Sequence, residues 1–215
     1  MLKIVFVSDY VCPYCFVAKE ALKQALEETK IEAQITWQPL ELTVEPKERV
    51  DTYHDEVRKE KYQVLVEPCK KLGLDIKLPP YVVPRPYTRL AFEGWYFACE
   101  QGVGDAYNDL MYRAYFVEEQ DIGNMEVLVS LAERVGLNGM EFKGTLEEGI
   151  YSIAEKEAVT YSREVLNVIG VPSIYINEEQ ITLSEYTKEE MIQILQNQIE
   201  EEPGFGMCCS IDGCN

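Results

Sequence analysis

The chain has 215 residues, and its 38 acidic against 20 basic side chains give a net charge of −18. That balance argues against DNA, RNA or an anionic lipid surface as the main partner. An apolar share of 47% can build a real core, sized for one large domain or one domain with a big insertion. No apolar run approaches the ~20 residues needed to span a membrane. The segment Met1-Leu-Lys-Ile-Val-Phe-Val-Ser8 has one basic residue, a short apolar run and no small-residue cleavage site. The expected compartment is therefore the cytoplasm, where any disulfide is more often catalytic than structural.

Ile4 to Val7 is a continuous apolar run, the pattern of a buried strand. From Pro13 to about Thr29 the period becomes helical, with Ala18, Leu22, Ala25 and Leu26 on one face and Lys19, Glu20 and Lys23 off it. Ile31, Ala33, Ile35 and Trp37 alternate with polar residues, so a second strand follows. Strand, helix, strand at this length is a βαβ unit with an expected right-handed crossover.

Residues 46–150 read as helices, most clearly Asp105 to Glu118 and Asn124 to Val135, with the four prolines between Pro79 and Pro86 forming a loop. Leu128, Leu131, Ala132 and Val135 make an apolar stripe in the second of those helices. Strand signals return at Val171–Ile176 and Ile181–Leu183, flanking a hairpin connection over Asn177–Gln180. Thr187-Lys-Glu-Glu190 is a capping box that opens a helix carrying Met191, Leu195 and Ile199. The order implies an α/β chain of thioredoxin-like fold, a central mixed sheet flanked by helices and interrupted by a large all-helical insertion. Residues 1–45 and 151–200 form the discontinuous thioredoxin-like domain, 46–150 the insertion, and 201–215 a cysteine-containing tail.

The stretch Val5-Phe-Val-Ser-Asp-Tyr-Val-Cys-Pro-Tyr-Cys15 places two cysteines where the first strand gives way to the first helix. Zinc and iron–sulfur sites need four ligands, and only one C-x-x-C is present, with the single His54 in a polar helical stretch. A redox couple fits the position. Cys12 falls at the helix N-cap with Pro13 at the next position, where free N–H groups and the helix dipole favour a thiolate. Cys15, one turn in, is shielded and suited to resolve a mixed disulfide. Asp9 is either a proton carrier for Cys15 or a turn carboxylate. Cys69 and Cys99, and the aromatic residues of Tyr112–Phe116, read as core.

Asp9-Tyr-Val-Cys-Pro-Tyr-Cys15 and Gly170-Val-Pro-Ser173 resemble the DsbA family of thioredoxin-fold oxidoreductases. Trp37-Gln-Pro-Leu-Glu-Leu42, Ala114–Ile122 and the pair Cys209 and Cys214 resemble its FrnE-like branch. The resemblance implies a thiol–disulfide oxidoreductase or isomerase with a cis bond at Val171–Pro172. Pro13, Tyr14, Val171 and Pro172 would line the substrate groove, with Val171 offering its backbone to a substrate strand. It also favours Cys209 and Cys214 as an auxiliary redox pair; an inert tail, or a metal site borrowing Cys12 or Cys15, are the other readings.

The chain departs from the family pattern at three places. Pro13-Tyr14 is the dipeptide of glutaredoxins, Ala91-Phe92 stands where Ala-His is common, and Leu183–Tyr186 replaces Gly-Ala-Gln-Pro. The implied partners are protein or small-molecule disulfides, with glutathione or the thioredoxin system as reductant. No cofactor beyond the redox-active cysteines and no metal is expected. Two other functions stay open: a redox-sensing adaptor that binds a client, and a glutathione-dependent isomerase of the kappa-transferase type. The latter usually has serine at the position of Cys12.

Overall fold

A computed structural model describes residues 1–200. Strand β1 (Leu2–Ser8), helix α1 (Pro13–Thr29) and strand β2 (Ala33–Pro39) open the chain. Seven helices follow: α2 (Glu56–Tyr62), α3 (Val66–Leu72), α4 (Arg89–Glu100), α5 (Gly104–Phe116), α6 (Met125–Arg134), α7 (Gly139–Glu147) and α8 (Ser152–Thr160), the last running into a π turn over Tyr161–Val165. Strands β3 (Ser173–Ile176) and β4 (Glu179–Ile181) and helix α9 (Lys188–Glu200) close the described chain.

The sheet has the order β2-β1-β3-β4, with β1 parallel to β2 and antiparallel to β3. It is the mixed sheet of a thioredoxin-like fold. The side-chain period of two sorts β1 between its faces. Leu2, Ile4 and Phe6 pack with Ile174 and Ile176 beneath α1 and α9, where Val17, Leu22, Met191 and Leu195 are fully buried. Val7 packs on the opposite face with Leu40 and Val168. β1 is thereby covered on both sides, and its C-terminal end is held rigidly where the motif begins.

A second core lies between α1 and helices α4 to α7. Phe92, Met111, Tyr112, Phe116, Leu131 and Phe142 share it with Tyr10, Cys15 and Phe16 of the motif region. The Tyr10 ring stacks on Phe92 at 4.5 Å, and Phe16 stacks on Tyr112 at 5.3 Å. Asn124 and Asn138 cap α6 and α7 by accepting first-turn N–H groups, which fixes where those helices start. Gly94 lets α4 approach its neighbours. A Cβ there would collide with the Tyr107 hydroxyl and sit 2.6 Å from the Phe142 ring.

Several local expectations change. The hairpin connection is shorter than Asn177–Gln180: only Asn177 and Glu178 form it, at φ 49° and 72°. Two consecutive positive φ values give the type I′ geometry that suits the sheet twist, so β4 starts at Glu179. Thr187 accepts from the Glu190 N–H at 3.2 Å, but the Glu190 carboxylate accepts from the N–H groups of Ser184, Glu185 and Tyr186 instead of closing the capping box. Ile199 is exposed, because the apolar face of α9 runs out before its last turn. Lys19 is buried, its ammonium paired with Asp109 and set over the Trp37 ring at 5.8 Å. His54 precedes α2 and pairs with Asp51 at 2.9 Å. Cys69 is buried as expected, whereas Cys99 is exposed near the end of α4.

Candidate active site

Residues 9–12 turn the chain from β1 into α1, with the Cys12 N–H donating to the Asp9 carbonyl at 3.1 Å. Cys12 takes the extended N-cap conformation, φ −98° and ψ 113°, with Pro13 as the first helical residue. Among the described residues no side chain caps the helix, and no acidic residue sits in its first turn. The positive helix end is therefore left to the Cys12 sulfur. Cys12 is 4% exposed and Cys15 fully buried beneath it; both are free thiols.

The two sulfurs differ in environment. The Cys12 thiol reaches the carbonyl of Val171 at 3.5 Å, and the Val171–Pro172 bond is cis. Burial pushes the Cys15 thiol well above its ordinary range, and its hydrogen bond with Cys12 and the Cys12 charge add to the rise. The Asp9 main chain opposes it, and the Asp9 carboxylate adds to it. The Cys15 thiol thus holds its proton more tightly than an ordinary cysteine.

Asp9 is fully buried, and its carboxylate accepts from the Leu42 N–H at 2.7 Å. Burial raises its pKa; the Leu42 N–H, the Thr88 hydroxyl and the Arg85 charge pull the other way. More acids lie behind it. Burial and the Asp9 charge lift Glu41 to about 7 against Arg89 and Arg163. Burial, Glu41 and Glu93 lift Glu155 to about 8. Arg89 Nε is 3.4 Å from Glu93, and both Glu155 oxygens lack a hydrogen-bond partner among the described residues.

In front of Cys12 lies a cleft of ≈ 270 Å³. Val11, Pro13, Tyr14 and Val171 form one side of it, and Asp55, Arg58, Lys61 and Tyr62 the other, with Arg85 also lining it. The Tyr14 and Tyr62 rings meet edge-on at 6.0 Å. Cys12, Pro13, Tyr14 and Val171 are thus brought together, with Pro172 adjacent in the chain and Asp9 buried beneath. Cys209 and Cys214 lie outside the described residues. Among the described residues, no cluster of three or more His, Cys, Asp or Glu side chains could hold a metal ion.

Arg58, Lys61 and Arg85 are the cationic cleft residues that sequence reasoning missed. Arg85 stands between Pro84 and Pro86 in the proline loop, and that was the available signal: a long cationic side chain in a segment too stiff to be a mere linker.

The sequence matches the DSBA-like thioredoxin domain over residues 3–193. A Bacillus subtilis protein, the uncharacterized YwbO, is 39% identical over 175 residues, which cover 81% of this chain and 86% of that protein. A probable DsbA oxidoreductase of Streptomyces coelicolor superposes with a TM-score of 0.77 at 21% identity, covering 100% of this chain and 99% of that one. The cytosolic disulfide reductase DsbM of Pseudomonas aeruginosa, also solved with GSH, gives 0.68 at 16% identity over 92% of this chain and 98% of its own.

Proposed function

The chain belongs to the DSBA-like thioredoxin domain family, and on that premise we propose that it is a thiol–disulfide oxidoreductase working through Cys12 and Cys15. The carrying observation is the asymmetry of the pair: Cys12 sits at an uncapped helix N-terminus facing the cleft, and Cys15 is sealed beneath it.

The Cys12 thiolate attacks one sulfur of a substrate disulfide. A mixed disulfide forms and the other substrate sulfur leaves as a thiolate. Cys15 then gives its proton to Asp9 and attacks the Cys12 sulfur. The Cys12–Cys15 disulfide forms and the second substrate thiolate departs, so two electrons have passed from protein to substrate. The reverse sequence oxidises a dithiol. Cis-Pro172 keeps a backbone N–H out of the site, and Val171 offers its backbone to the substrate strand.

A small thiol such as glutathione, or the thioredoxin system, returns the disulfide to the dithiol. The GSH complex of the fold relative DsbM supports the first source. Cysteine at position 12 disfavours the kappa-transferase reading. The resembling motifs favour the FrnE-like branch, and the cytosolic setting of the fold relative DsbM supports a cytoplasmic one here. Cys209 and Cys214 are assigned as an auxiliary pair exchanging with Cys12–Cys15; peptide mapping without reductant that finds three free thiols in the tail would refute this.

Insulin reduction and refolding of scrambled ribonuclease test the function. Cys12→Ser should abolish both activities, and Cys15→Ser should accumulate mixed disulfides. A redox-sensing adaptor would show neither activity and would co-purify with one dominant client.

A further inference from the structure

The ionic lining of the cleft runs against the charge of the molecule. The chain carries −18, yet among the described residues Arg58, Lys61 and Arg85 face this cleft against Asp55 alone. Arg85 is only 5% exposed. Its backbone N–H donates to the Val50 carbonyl at 2.9 Å and its Nη2 to the Thr43 hydroxyl at 2.7 Å. Among the described residues its buried Nε has no acceptor and no carboxylate forms an ion pair with it. Asp9 senses the Arg85 charge without pairing with it. A buried guanidinium without a counterion is costly, and its planar fork suits a carboxylate held by two hydrogen bonds.

The helix opposite adds two more cations. Arg58 is partly satisfied, its Nε 3.3 Å from Asp55. Lys61 has no ion-pair partner among the described residues, and the Tyr14 hydroxyl holds its carbonyl at 2.9 Å, so its helix is fixed to the motif. The ≈ 270 Å³ of space suits a small molecule better than a folded segment.

We propose that this cleft is a carboxylate subsite, and that the small thiol or disulfide exchanging with Cys12 is an anionic one, held by Arg85 with Arg58 and Lys61. The proposal rests on thiol–disulfide exchange at Cys12. The bonds are those of that reaction: the bound thiolate attacks the Cys12–Cys15 disulfide at Cys12, the Cys15 thiolate leaves and takes a proton, and a second small thiol releases the first as a disulfide.

The test uses the full chain, reduced, against three disulfides: oxidised glutathione, neutral hydroxyethyl disulfide and cationic cystamine. Each rate is divided by the rate of the same disulfide with dithiothreitol, which removes intrinsic reactivity. The net charge alone ranks cystamine first and glutathione last. The subsite reverses that order, by about tenfold between glutathione and hydroxyethyl disulfide, an advantage that shrinks with added salt. Lys61→Gln and Arg58→Gln should each lower the glutathione-to-hydroxyethyl ratio, and Arg85→Lys should lower it by losing the fork. An order led by cystamine, or a ratio unmoved by all three variants, would overturn the subsite and leave the oxidoreductase standing. No reaction with any of the three would overturn the subsite, and the oxidoreductase reading falls with it only if insulin reduction fails as well.

Discussion

The Tyr14 hydroxyl donates to the main-chain carbonyl of Lys61 at 2.9 Å, joining the dipeptide between the two cysteines to the helix across the cleft. Tyr14 also packs on Tyr62 and Tyr186, so Tyr14→Phe should keep the rings in place and lose the bond alone. The expected cost is about 1 kcal/mol. In a chain of this size that is a fall in Tm of roughly 2–4 °C, readable by calorimetry. The rate with oxidised glutathione should fall more than the rate with hydroxyethyl disulfide, because the helix that drifts is the one carrying Arg58 and Lys61.

Asp9→Asn separates the two half-reactions. Cys15 holds its proton tightly because it is buried, and resolution requires that proton to leave. Asp9 is the buried carboxyl whose charge acts on Cys15, and its own raised proton affinity suits it to accept. Asparagine keeps the shape but cannot take a proton. Resolution should slow by about 100-fold, within the usual range for a lost general base, and by more than the initial attack. Quenched-flow mass spectrometry should show the Cys12 mixed disulfide accumulating. Unchanged resolution would leave Asp9 as a turn carboxylate.

The motif was legible in the sequence because its logic is local. An apolar strand, Pro13 after Cys12 and a helical period fix where the sulfurs sit. The helical block was legible from its stripes, and Asn124 marks the start of α6 as a cap should. What stayed hidden depends on packing across long separations. Lys19 looks like a solvent-side residue until Asp109 and Trp37 arrive from elsewhere to enclose it. Arg85 is 73 residues from Cys12 in the sequence, and nothing local says that it lines the same cleft. Glu41 lies in a stretch that family resemblance picks out, but its burial comes from the fold around it.

Glu155 makes stability depend on pH. Its ordinary pKa is 4.5 and the folded value is about 8, raised by burial and by Glu41 and Glu93 against Arg89 and Lys156. Below pH 4.5 both states are protonated and the group has no effect. As pH rises toward 8 the unfolded chain ionises while the folded one resists, so stability falls. Glu41, lifted to about 7, adds to the same slope. At about 1.4 kcal/mol per unit of displacement the loss is a few kcal/mol. Glu155→Gln should therefore raise Tm at pH 8, change it little at pH 5 and flatten the profile between. A profile that keeps its slope would place the titration elsewhere.

Gly94→Ala tests whether the helical block supports the site by close packing. An exposed glycine in a helix gains about 0.5–1 kcal/mol when replaced by alanine. Gly94 is buried in α4, and the added methyl would meet the Tyr107 hydroxyl and the Phe142 ring, whose nearest atom is 2.6 Å away. Tyr107 and Phe142 are both fully buried and cannot swing into solvent, so an overpacking cost of about 1–3 kcal/mol should outweigh the helix gain. The sign decides: Tm should fall by several degrees. Gly94 does not line the Cys12 cleft, so turnover per folded molecule, measured well below the transition, should be unchanged. A rise in Tm would mean that α4 can move away from α5 and α7 without loss, and that this core does not hold Tyr10 and Phe16 against Cys15.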